Sequence, residues 1–356
     1  MNIARLSTAL LCGVTQTLAA QEPAPRAVAA PLHVLSKLSD ASAVVERDDG
    51  TALAVMFEKG ELAQLTPATG AFSKLPIRYA FGRAMALDGG RIGVARMDRR
   101  DVLVLDAQGR VVDSLATPTP AGVFVIGQNA MVALFDAKGR RYQVGGNRAD
   151  PEAPLMRYDR EQSTTVATLR QKTPGRISIG GGGGTSASAS RAFEPVDAWA
   201  LAPDGRVAVV RGQDYRVVWF TPTGDSVAGP RIPVDARPVT DADKSRYRAE
   251  QQASLDNARK MMGGSLGGAT MTVPEPTWPA SLPAMNGANI MIGTDGTLWV
   301  PRHGDASARV NVWDAFDAQG VRRTRVSLPA EWQLIGAGRG RLYAVGTKGL
   351  AVFAEP

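Results

Sequence analysis

A strand-turn-strand phrase recurs along almost the whole chain of 356 residues and limits what the chain can fold into. Each copy has a short apolar run, a tight turn at or near Asp-Gly, and a second apolar run that ends in arginine. The clearest copies run from Arg83 to Arg96, from Ala198 to Arg211 and from Asn289 to Arg302. Asp-Gly and Gly-Gly pairs tolerate the positive φ angles of hairpin turns, so the phrase predicts pairs of antiparallel strands.

A third strand and a second turn follow each phrase, and together they define a larger repeat. The second turns are Asp106–Gly109, Thr221–Gly224 and Asp317–Gly320. A unit of roughly 40 residues with about four short strands is typical of a β-propeller blade. Degenerate copies lie at 43–55, 123–135 and 333–345, which brings the number of units to six. The sequence therefore predicts an all-β fold, a six-bladed β-propeller.

The two ends of the repeat array predict how the propeller closes. The last unit stops after three strands, at Leu350–Phe353, and the strand-like segment Leu32–Leu38 belongs to no unit of its own. A propeller protects its sheet edges, and an N-terminal strand added to the last blade achieves this. Residues 31–38 are therefore expected to complete blade six as a closure strand.

Two sequence features resemble a known group of propellers. They are the Asp-Gly-Arg-aliphatic-x-Val blocks and the strand Tyr215–Phe220 that precedes its turn. On these residues the chain resembles the NHL-like, gluconolactonase-like and TolB-like six-bladed propellers over almost all of the expected mature chain. The resemblance implies the fold. It implies no single activity, since members include hydrolases, lyases and binding scaffolds.

The first residues read as a bacterial export signal. Arg5 supplies a positive charge, Leu6–Val14 a short and mostly apolar stretch, and Thr17–Ala20 a small-residue cleavage site. We thus expect a signal peptide at 1–20, a linker at 21–30 and the propeller at 31–356. No segment is long and apolar enough to predict a membrane span.

Cysteine usage agrees with an exported bacterial protein. Cys12 is the only cysteine and would leave with the signal peptide. A mature protein without disulfides fits a secreted or periplasmic bacterial protein, because a chain of this length can bury a large core without covalent links.

Two insertions interrupt the repeat array, both in connections between blades. One, at 173–192, is rich in glycine and serine and is expected to be a loop. The other, at 237–283, begins with a helix that Thr240 or Asp241 caps and that extends to Met262. In a propeller, such connections lie on the same face as the loops between the second and third strands, so both insertions are expected on this loop-rich face.

Two short motifs resemble catalytic or phosphate-binding loops without their usual context. The segment Gly263–Gly267 fits Gly-x-Ser-x-Gly, but a helix precedes it where a strand is required. A dyad of Ser265 with His303 remains an open alternative. The glycine run at 180–184 lacks the lysine that a P-loop needs, so it is not interpreted as a phosphate site.

Three arginines form the main predicted site. Arg96, Arg211 and Arg302 end the second strand of three different blades, where they are expected to surround the mouth of the central channel. A guanidinium group presents a planar fork that suits carboxylate, phosphate or sulfate. Tyr215 and His303 lie in the neighbouring loops and are expected to add hydrogen bonds. In the competing interpretation, each arginine only pairs with a nearby aspartate.

The leading hypothesis is an exported, non-catalytic binding protein that holds a small anionic ligand or a protein partner on its loop-rich face. A nucleic-acid partner is not expected, because the net charge of +7 is dispersed rather than clustered in a stripe.

The alternative is a metal-dependent hydrolase or lactonase of the gluconolactonase-like type, which the resemblance implies would bind calcium. The Glu-Gly-Pro motif that begins the family's metal site is absent here. Glu58 is the nearest substitute, with Asn129 and Asn289 as candidate partners, and all three lie out of pattern. No cofactor is therefore predicted under the leading hypothesis, and calcium belongs to the alternative.

Overall fold

The computed structural model describes most of the chain from Glu22 to the C-terminus. The described residues are 22, 24–79, 81–96, 101–116, 134–146, 150–160, 162–172, 178–179, 191–262, 271–272, 275–285, 289–304 and 310–356. The expected signal peptide at 1–20 lies outside them, as do most of the glycine-rich insertion, Ser265 and Asn129.

Two short N-terminal strands and three four-stranded sheets make up the first half of the described chain. The N-terminal strands are β1 (Arg26–Ala27) and β2 (His33–Leu35), and a 3-10 turn at Ser36–Leu38 follows them. Blade one contains β3 (Ala41–Glu46), β4 (Ala52–Met56), β5 (Glu61–Thr66) and β6 (Ala71–Arg78). Blade two contains β7 (Phe81–Ala86), β8 (Ile92–Arg96), β9 (Asp101–Leu105) and β10 (Val111–Ala116). Blade three contains β11 (Leu134–Phe135), β12 (Arg141–Val144), β13 (Glu152–Asp159) and β14 (Gln162–Arg170).

The second half contains the other three blades and the insertions. Strand β15 (Ser178–Ile179) precedes blade four, which contains β16 (Ala198–Leu201), β17 (Val207–Arg211), β18 (Arg216–Phe220) and β19 (Ser226–Ala228). The helical insertion contains β20 (Arg237–Pro238), α1 (Asp241–Met262), β21 (Met271–Thr272) and β22 (Ser281–Leu282). Blade five contains β23 (Met291–Ile292), β24 (Leu298–Pro301), β25 (Val310–Phe316) and β26 (Arg322–Pro329). Blade six contains β27 (Gln333–Gly338), β28 (Arg341–Gly346) and β29 (Gly349–Ala354). The six-bladed propeller predicted from the repeats is confirmed.

Aspartate-glycine turns explain why neighbouring strands of a blade pair in one register. In three turns an aspartate Oδ1 accepts hydrogen bonds of 2.9–3.0 Å from the backbone N–H groups two and four residues later. The glycine three residues after the aspartate has a φ near +75°, which a residue with a Cβ adopts at a cost. These turns are Asp106–Gly109, Asp136–Gly139 and Asp317–Gly320. The sequence therefore encodes each turn locally, independently of the rest of the propeller.

The core lies between adjacent blades. Trp219 and Trp299 are each 1% exposed, the first packed between blades four and five and the second between blades five and six. The Trp219 indole N–H also donates a hydrogen bond of 3.0 Å to the Asp317 carbonyl of the next blade. Burial of aromatic surface and a satisfied polar atom together fix blade four against blade five.

The N-terminal closure of blade six is also confirmed. Strand β2 pairs antiparallel with β29, so that His33 lies opposite Val352 and Leu35 opposite Leu350. Leu38, just after β2, is fully buried in the core shared by blades six and one. The fourth strand of the last blade thus comes from the beginning of the chain, and it removes the exposed edge of β29.

The segment at 21–30, expected to be a linker, contributes a strand of its own. Arg26 and Ala27 form β1, which pairs in parallel with β26 at Val326 and Ser327. Blade five therefore has a fifth, outer strand.

Only part of the blade-three unit can be compared with the prediction, because residues 117–133 lie outside the described residues. Strand β11 was expected to be the second strand of the unit that begins at Val123. In the structure β11 pairs with β12, and β12 then pairs with β13. The Asp136–Gly139 turn connects β11 to β12.

The inserted helix begins and ends where the sequence predicts, from Asp241 to Met262. The Thr240 hydroxyl accepts a hydrogen bond of 3.2 Å from the Asp243 backbone N–H, and the Asp243 carboxylate accepts one of 3.0 Å from the Thr240 N–H. This reciprocal pair caps the helix N-terminus. No helix in the part of the chain that the structure describes has the length and apolarity needed to cross a bilayer.

The two insertions contact each other above the propeller. Strand β15 of the glycine-rich insertion pairs antiparallel with β21 of the helical insertion. Tyr247 of α1 is 7% exposed and packs edge-on against Phe193 and Trp278, with ring centroids 5.1 and 5.5 Å away. These contacts fix the first half of α1 over blades four and five.

Candidate functional site

Two cavities open on the loop-rich face over blade five, and Arg302 lines both. The larger, of about 540 Å³, lies between blades five and six and is also lined by Asn289, Glu331 and Thr347. The smaller, of about 360 Å³, lies under the helical insertion and is also lined by Glu22, Arg237 and His303. Both are bounded by connections between blades and by the loop after β24, which is the face where the sequence predicted binding.

The Arg302 guanidinium is surrounded by charge but is only partly hydrogen-bonded. Its side chain is 11% exposed, and its nitrogens lie 3.6 Å from Glu22 Oε2 and 3.6 Å from Asp314 Oδ2, beyond hydrogen-bond distance. The guanidinium carbon stacks 4.7 Å from the centre of the Tyr215 ring. Among the residues that the structure describes, Arg302 Nη1 has no hydrogen-bond partner. Arg302 is therefore a largely buried cation whose Nη1 has no acceptor among the described residues, and the residue lines two cavities.

Tyr215 supports Arg302 from the neighbouring blade. It is 2% exposed, and its hydroxyl donates a hydrogen bond of 2.6 Å to Asp314 Oδ2. Burial, and then the negative charge of Asp314, raises the pKa of Tyr215 well above its usual value. The ring thus stays neutral and places its face against the Arg302 guanidinium.

Two further arginines complete a buried group that we call the blade-five cluster: Glu22, Arg302, Asp314, Arg322 and Arg325. Asp314 is fully buried, and Arg325 Nε donates a hydrogen bond of 2.9 Å to its Oδ1. Arg322 Nη1 donates one of 2.8 Å to Glu22 Oε1, and Arg325 Nη2 donates to the same oxygen. Three guanidinium groups thus face two carboxylates, and the cluster carries one net positive charge.

A β-bulge explains why sequence reading missed Arg322 and Arg325. On a regular strand, residues three apart point to opposite faces. Here the pairing of β25 with β26 shifts, because Phe316 lies opposite Arg322 and Ala315 opposite Thr324. The shift leaves Arg323 without a partner in the ladder and brings the side chains of Arg322 and Arg325 to the same carboxylates. The Arg-Arg-Thr-Arg run was the only available signal, and it does not reveal the bulge.

His303 lies at the boundary between the propeller and the helical insertion. Its ring packs edge-on against Phe193, with centroids 5.5 Å apart. Burial, and then the positive charges of Arg246 and Arg237, lowers the pKa of His303 to about 4, although Asp243 opposes this shift. His303 is therefore neutral at pH 7.

We expect His303 to make stability depend on pH. Its pKa is lower in the folded chain than its ordinary value of 6.5, so protonation favours the unfolded chain. The stability that neutral His303 gives the folded chain is fully present above pH 6.5 and is lost as the pH falls towards about 4. The free energy of unfolding should fall across this range by on the order of 2 kcal/mol more in the natural protein than in a His303→Gln variant. Urea unfolding at a series of pH values measures the difference.

The other histidine of the chain provides the control. In a His33→Gln variant the free energy of unfolding should fall with pH as it does in the natural protein, because His33 lies in β2, away from the helical insertion. Parallel pH profiles of the natural protein and His303→Gln would contradict the interpretation.

Arg96 and Arg211 each pair with an aspartate of their own blade, and Arg211 also bonds to blade three. Arg96 Nε donates a hydrogen bond of 2.6 Å to Asp101 Oδ1, and its guanidinium carbon lies 4.6 Å from the Tyr79 ring centre. Arg211 Nη1 donates bonds of 2.6 Å to Asp197 Oδ2 and to the Thr168 carbonyl. The structure thus brings Arg302, Tyr215 and His303 together on the loop-rich face, and it places Arg96 and Arg211 in separate ion pairs.

The weak metal candidates do not form a common site within the described residues. Glu58 is exposed in the turn between β4 and β5, Asn289 lines the larger cavity, and Asn129 lies outside the described residues. The part of the chain that the structure describes contains no group of three or more His, Cys, Asp or Glu side chains arranged to hold a metal ion.

Comparison with known proteins returned similar structures but no matching family. No family model matches the chain, and no curated protein matches it. The similar solved structures include a calcium-binding protein, regucalcin, from Agrobacterium tumefaciens, with 13% identity, a TM-score of 0.41, and coverage of 92% of this chain and 94% of that one. A gluconolactonase from Xanthomonas campestris has 11% identity, a TM-score of 0.43, and coverage of 91% and 89%. A catalytically inactive virginiamycin B lyase from Staphylococcus aureus, solved with quinupristin, has 9% identity, a TM-score of 0.41, and coverage of 90% and 97%.

Because all three TM-scores are below 0.5 and the identities are 13% or less, these similarities say nothing about the activity of this chain. Proteins of such low identity can share an architecture and differ in chemistry, because function depends on individual side chains. The function of this chain has to be argued from its own cavities and cluster.

Proposed function

We propose that this six-bladed β-propeller is a non-catalytic binding protein, exported to the bacterial periplasm, that holds a small anionic ligand at Arg302. The ligand would occupy the larger cavity between blades five and six and would place its anionic group against the guanidinium. A cavity of about 540 Å³ is the size of many metabolite sites.

The main support for this proposal is that Arg302 Nη1 has no hydrogen-bond acceptor in the part of the chain that the structure describes. A buried donor without a partner costs about 1–3 kcal/mol, and more when the group is charged. The nearest carboxylates lie 3.6 Å away and leave the donor unused. An anion that enters from the cavity would supply the missing acceptor and would also offset the net positive charge of the blade-five cluster. Anion binding would therefore remove the free-energy cost of leaving this buried donor without an acceptor.

Tyr215 and His303 have supporting roles in this proposal. The Tyr215 hydroxyl already donates to Asp314, so its contribution is the ring that holds Arg302 in place. His303 is neutral, and it borders the smaller cavity together with Arg302. Asn289 has a φ of +59° and lines the larger cavity, where its amide would bond to a ligand.

The test is a thermal-shift titration of the purified protein with acetate, phosphate, sulfate and citrate. An anion present at about a hundredfold over its dissociation constant should add about 2.7 kcal/mol of stability. Arg302→Gln should weaken binding of the responding anion by about ten- to a hundredfold, since a charge-assisted bond is worth about 1.5–3 kcal/mol. Asn289→Gly, which suits the positive φ and leaves the cluster intact, should weaken it by a few fold.

Arg110→Gln is the matched control, because Arg110 is 75% exposed in a turn on the opposite face. Unchanged affinity in folded Arg302→Gln and Asn289→Gly proteins would refute the proposed site. A rise in melting temperature with calcium that a chelator reverses would favour the metal-dependent hydrolase instead. A response to neither anions nor calcium would overturn the small-ligand proposal and point to a protein partner.

A further inference from the structure

The N-terminal segment lies along the outer edge of blade five, and backbone hydrogen bonds of residues 26–28 fix it to β26. Strand β1 pairs in parallel with β26, and the Val28 N–H donates a hydrogen bond of 3.1 Å to the Ser327 carbonyl. Val28 also packs against the core between blades five and six. Glu22 lies four residues before β1, so its backbone is tethered to the propeller while its side chain reaches the cluster.

The Glu22 carboxylate is surrounded by guanidinium groups. Arg322 and Arg325 donate hydrogen bonds to its Oε1, and Arg302 lies 3.6 Å from its Oε2. Burial alone would raise the pKa of Glu22, but the bond from Arg325, the charge of Arg302 and the bond from Arg322 outweigh it and lower the pKa. The side chain is 13% exposed. A carboxylate that accepts hydrogen bonds from two arginines and lies beside a third resembles a carboxylate ligand in an arginine-lined binding site.

The cluster would be strongly cationic without this carboxylate. Asp314 would then be the single carboxylate facing three guanidinium groups within the described cluster. Glu22 and Arg302 both line the smaller cavity, so a small molecule could reach the position that the carboxylate holds. The propeller contributes the arginines, and a tethered segment contributes the anion.

We infer that Arg302, Arg322 and Arg325 form a carboxylate-binding site that the chain fills with its own Glu22, and that a free carboxylate takes this place when the Glu22 side chain is removed. Since Arg302 belongs to both sites, the inference rests in part on the proposed function: Glu22 competes with the anionic ligand for one guanidinium. The N-terminal segment thereby acts as an internal competitor for the binding site.

The test is chemical rescue of a Glu22→Ala variant by acetate. The variant should melt at a lower temperature than the natural protein. Acetate should raise its melting temperature by about 2 °C or more over sodium chloride at the same ionic strength. The natural protein should show a smaller rise, because Glu22 already occupies the site. Glu22→Gln should melt at a lower temperature than the natural protein. Acetate should raise its melting temperature little, since the glutamine amide fills the space without the charge.

Two control proteins separate this site from a general salt effect. Glu58→Ala removes an exposed glutamate and should respond to acetate as the natural protein does. The double variant of Glu22→Ala and Arg325→Gln should lose the rescue, because Arg325 donates to both carboxylates of the cluster. Equal acetate responses in Glu22→Ala and the natural protein would overturn the inference.

The outcomes also separate this inference from the proposed function. Rescue by acetate, without any anion response of the natural protein, would keep the internal carboxylate site and overturn the ligand proposal. A natural protein that binds anions through Arg302, with no rescue of Glu22→Ala, would overturn the inference alone. If Glu22→Ala does not fold, the melting temperatures should follow the order natural protein, Glu22→Asp, Glu22→Gln. Equal values would overturn the inference.

Discussion

Gly349→Ala is expected to destabilise the propeller by at least about 3 kcal/mol, because it adds an atom where the closure strand passes. Gly349 begins β29 with a φ of +126°, a conformation that residues with a Cβ rarely adopt. A Cβ built at this position would lie 2.4 Å from the Leu35 carbonyl oxygen and 2.7 Å from the Ser36 Cα. Both are backbone atoms of the closure segment, so no side-chain rotation can relieve the overlap.

The loss should appear as a lower free energy of unfolding in urea. Gly50→Ala is the matched control, since Gly50 has a φ of +81° and no atom within 4 Å of its added Cβ. It should lose about 1–2 kcal/mol of stability, which is the cost of placing a Cβ at a positive φ. The difference in stability loss between the two variants then reports the close contact of β29 with Leu35 and Ser36. Equal losses would show that closure does not depend on this close approach.

The closure could be predicted from the sequence because its signals are local. Asp-Gly and Gly-Gly turns and alternating apolar runs are encoded within a few residues, so six units and one orphan strand can be counted directly. Blade three shows the limit of this reasoning. Its Asp136–Gly139 turn is as well formed as the others, but β12, the strand that follows this turn, was not predicted.

The candidate site was only partly predictable, because charge pairing depends on the tertiary structure. Arg302 looked like Arg96 and Arg211, since each ends a second strand. The difference lies in their partners: Arg96 and Arg211 hydrogen-bond to carboxylates of their own blades at 2.6 Å, whereas the carboxylates near Arg302 are 3.6 Å away. No spacing rule gives these distances.

Glu22 shows the same limit over a longer separation. It contacts arginines that lie 300 and 303 positions later in the chain. The sequence has a short segment rich in alanine and proline between the predicted export signal and a strand, which was interpreted as a linker. Only the folded chain brings that segment to the bulge in β26 and gives its carboxylate three cationic neighbours.

Asp314→Asn is the second change with a large expected effect, a loss of about 3–5 kcal/mol of folding free energy. Asp314 is fully buried, accepts hydrogen bonds from Arg325 and Tyr215, and lies within 3.7 Å of Arg302 and Arg322. Asparagine keeps the shape but removes the charge, so three buried guanidinium groups would share Glu22 as their remaining carboxylate within the cluster. Removing one partner of a buried ion pair leaves an uncompensated charge, which is why the loss is large.

Asp204→Asn provides the matched control on the surface. Asp204 is 53% exposed and pairs with Arg206 at 2.7 Å, so its loss should change stability by less than about 1 kcal/mol. Urea unfolding of the two variants in parallel compares a buried aspartate with an exposed one. A small loss for Asp314→Asn would mean that the cluster is stabilised without this carboxylate.

A double-mutant cycle with Tyr215→Phe then identifies what Asp314 contributes to the site. Tyr215→Phe alone should lose about 1.5–3 kcal/mol, the value of a hydrogen bond to a charged group. Because Asp314→Asn removes the charge from the bond that Tyr215→Phe deletes, the double variant should lose clearly less than the sum of the single variants. Additive losses would mean that the 2.6 Å contact contributes little. Strong coupling would instead show that blade four holds the Tyr215 ring, and with it Arg302, through a single buried carboxylate.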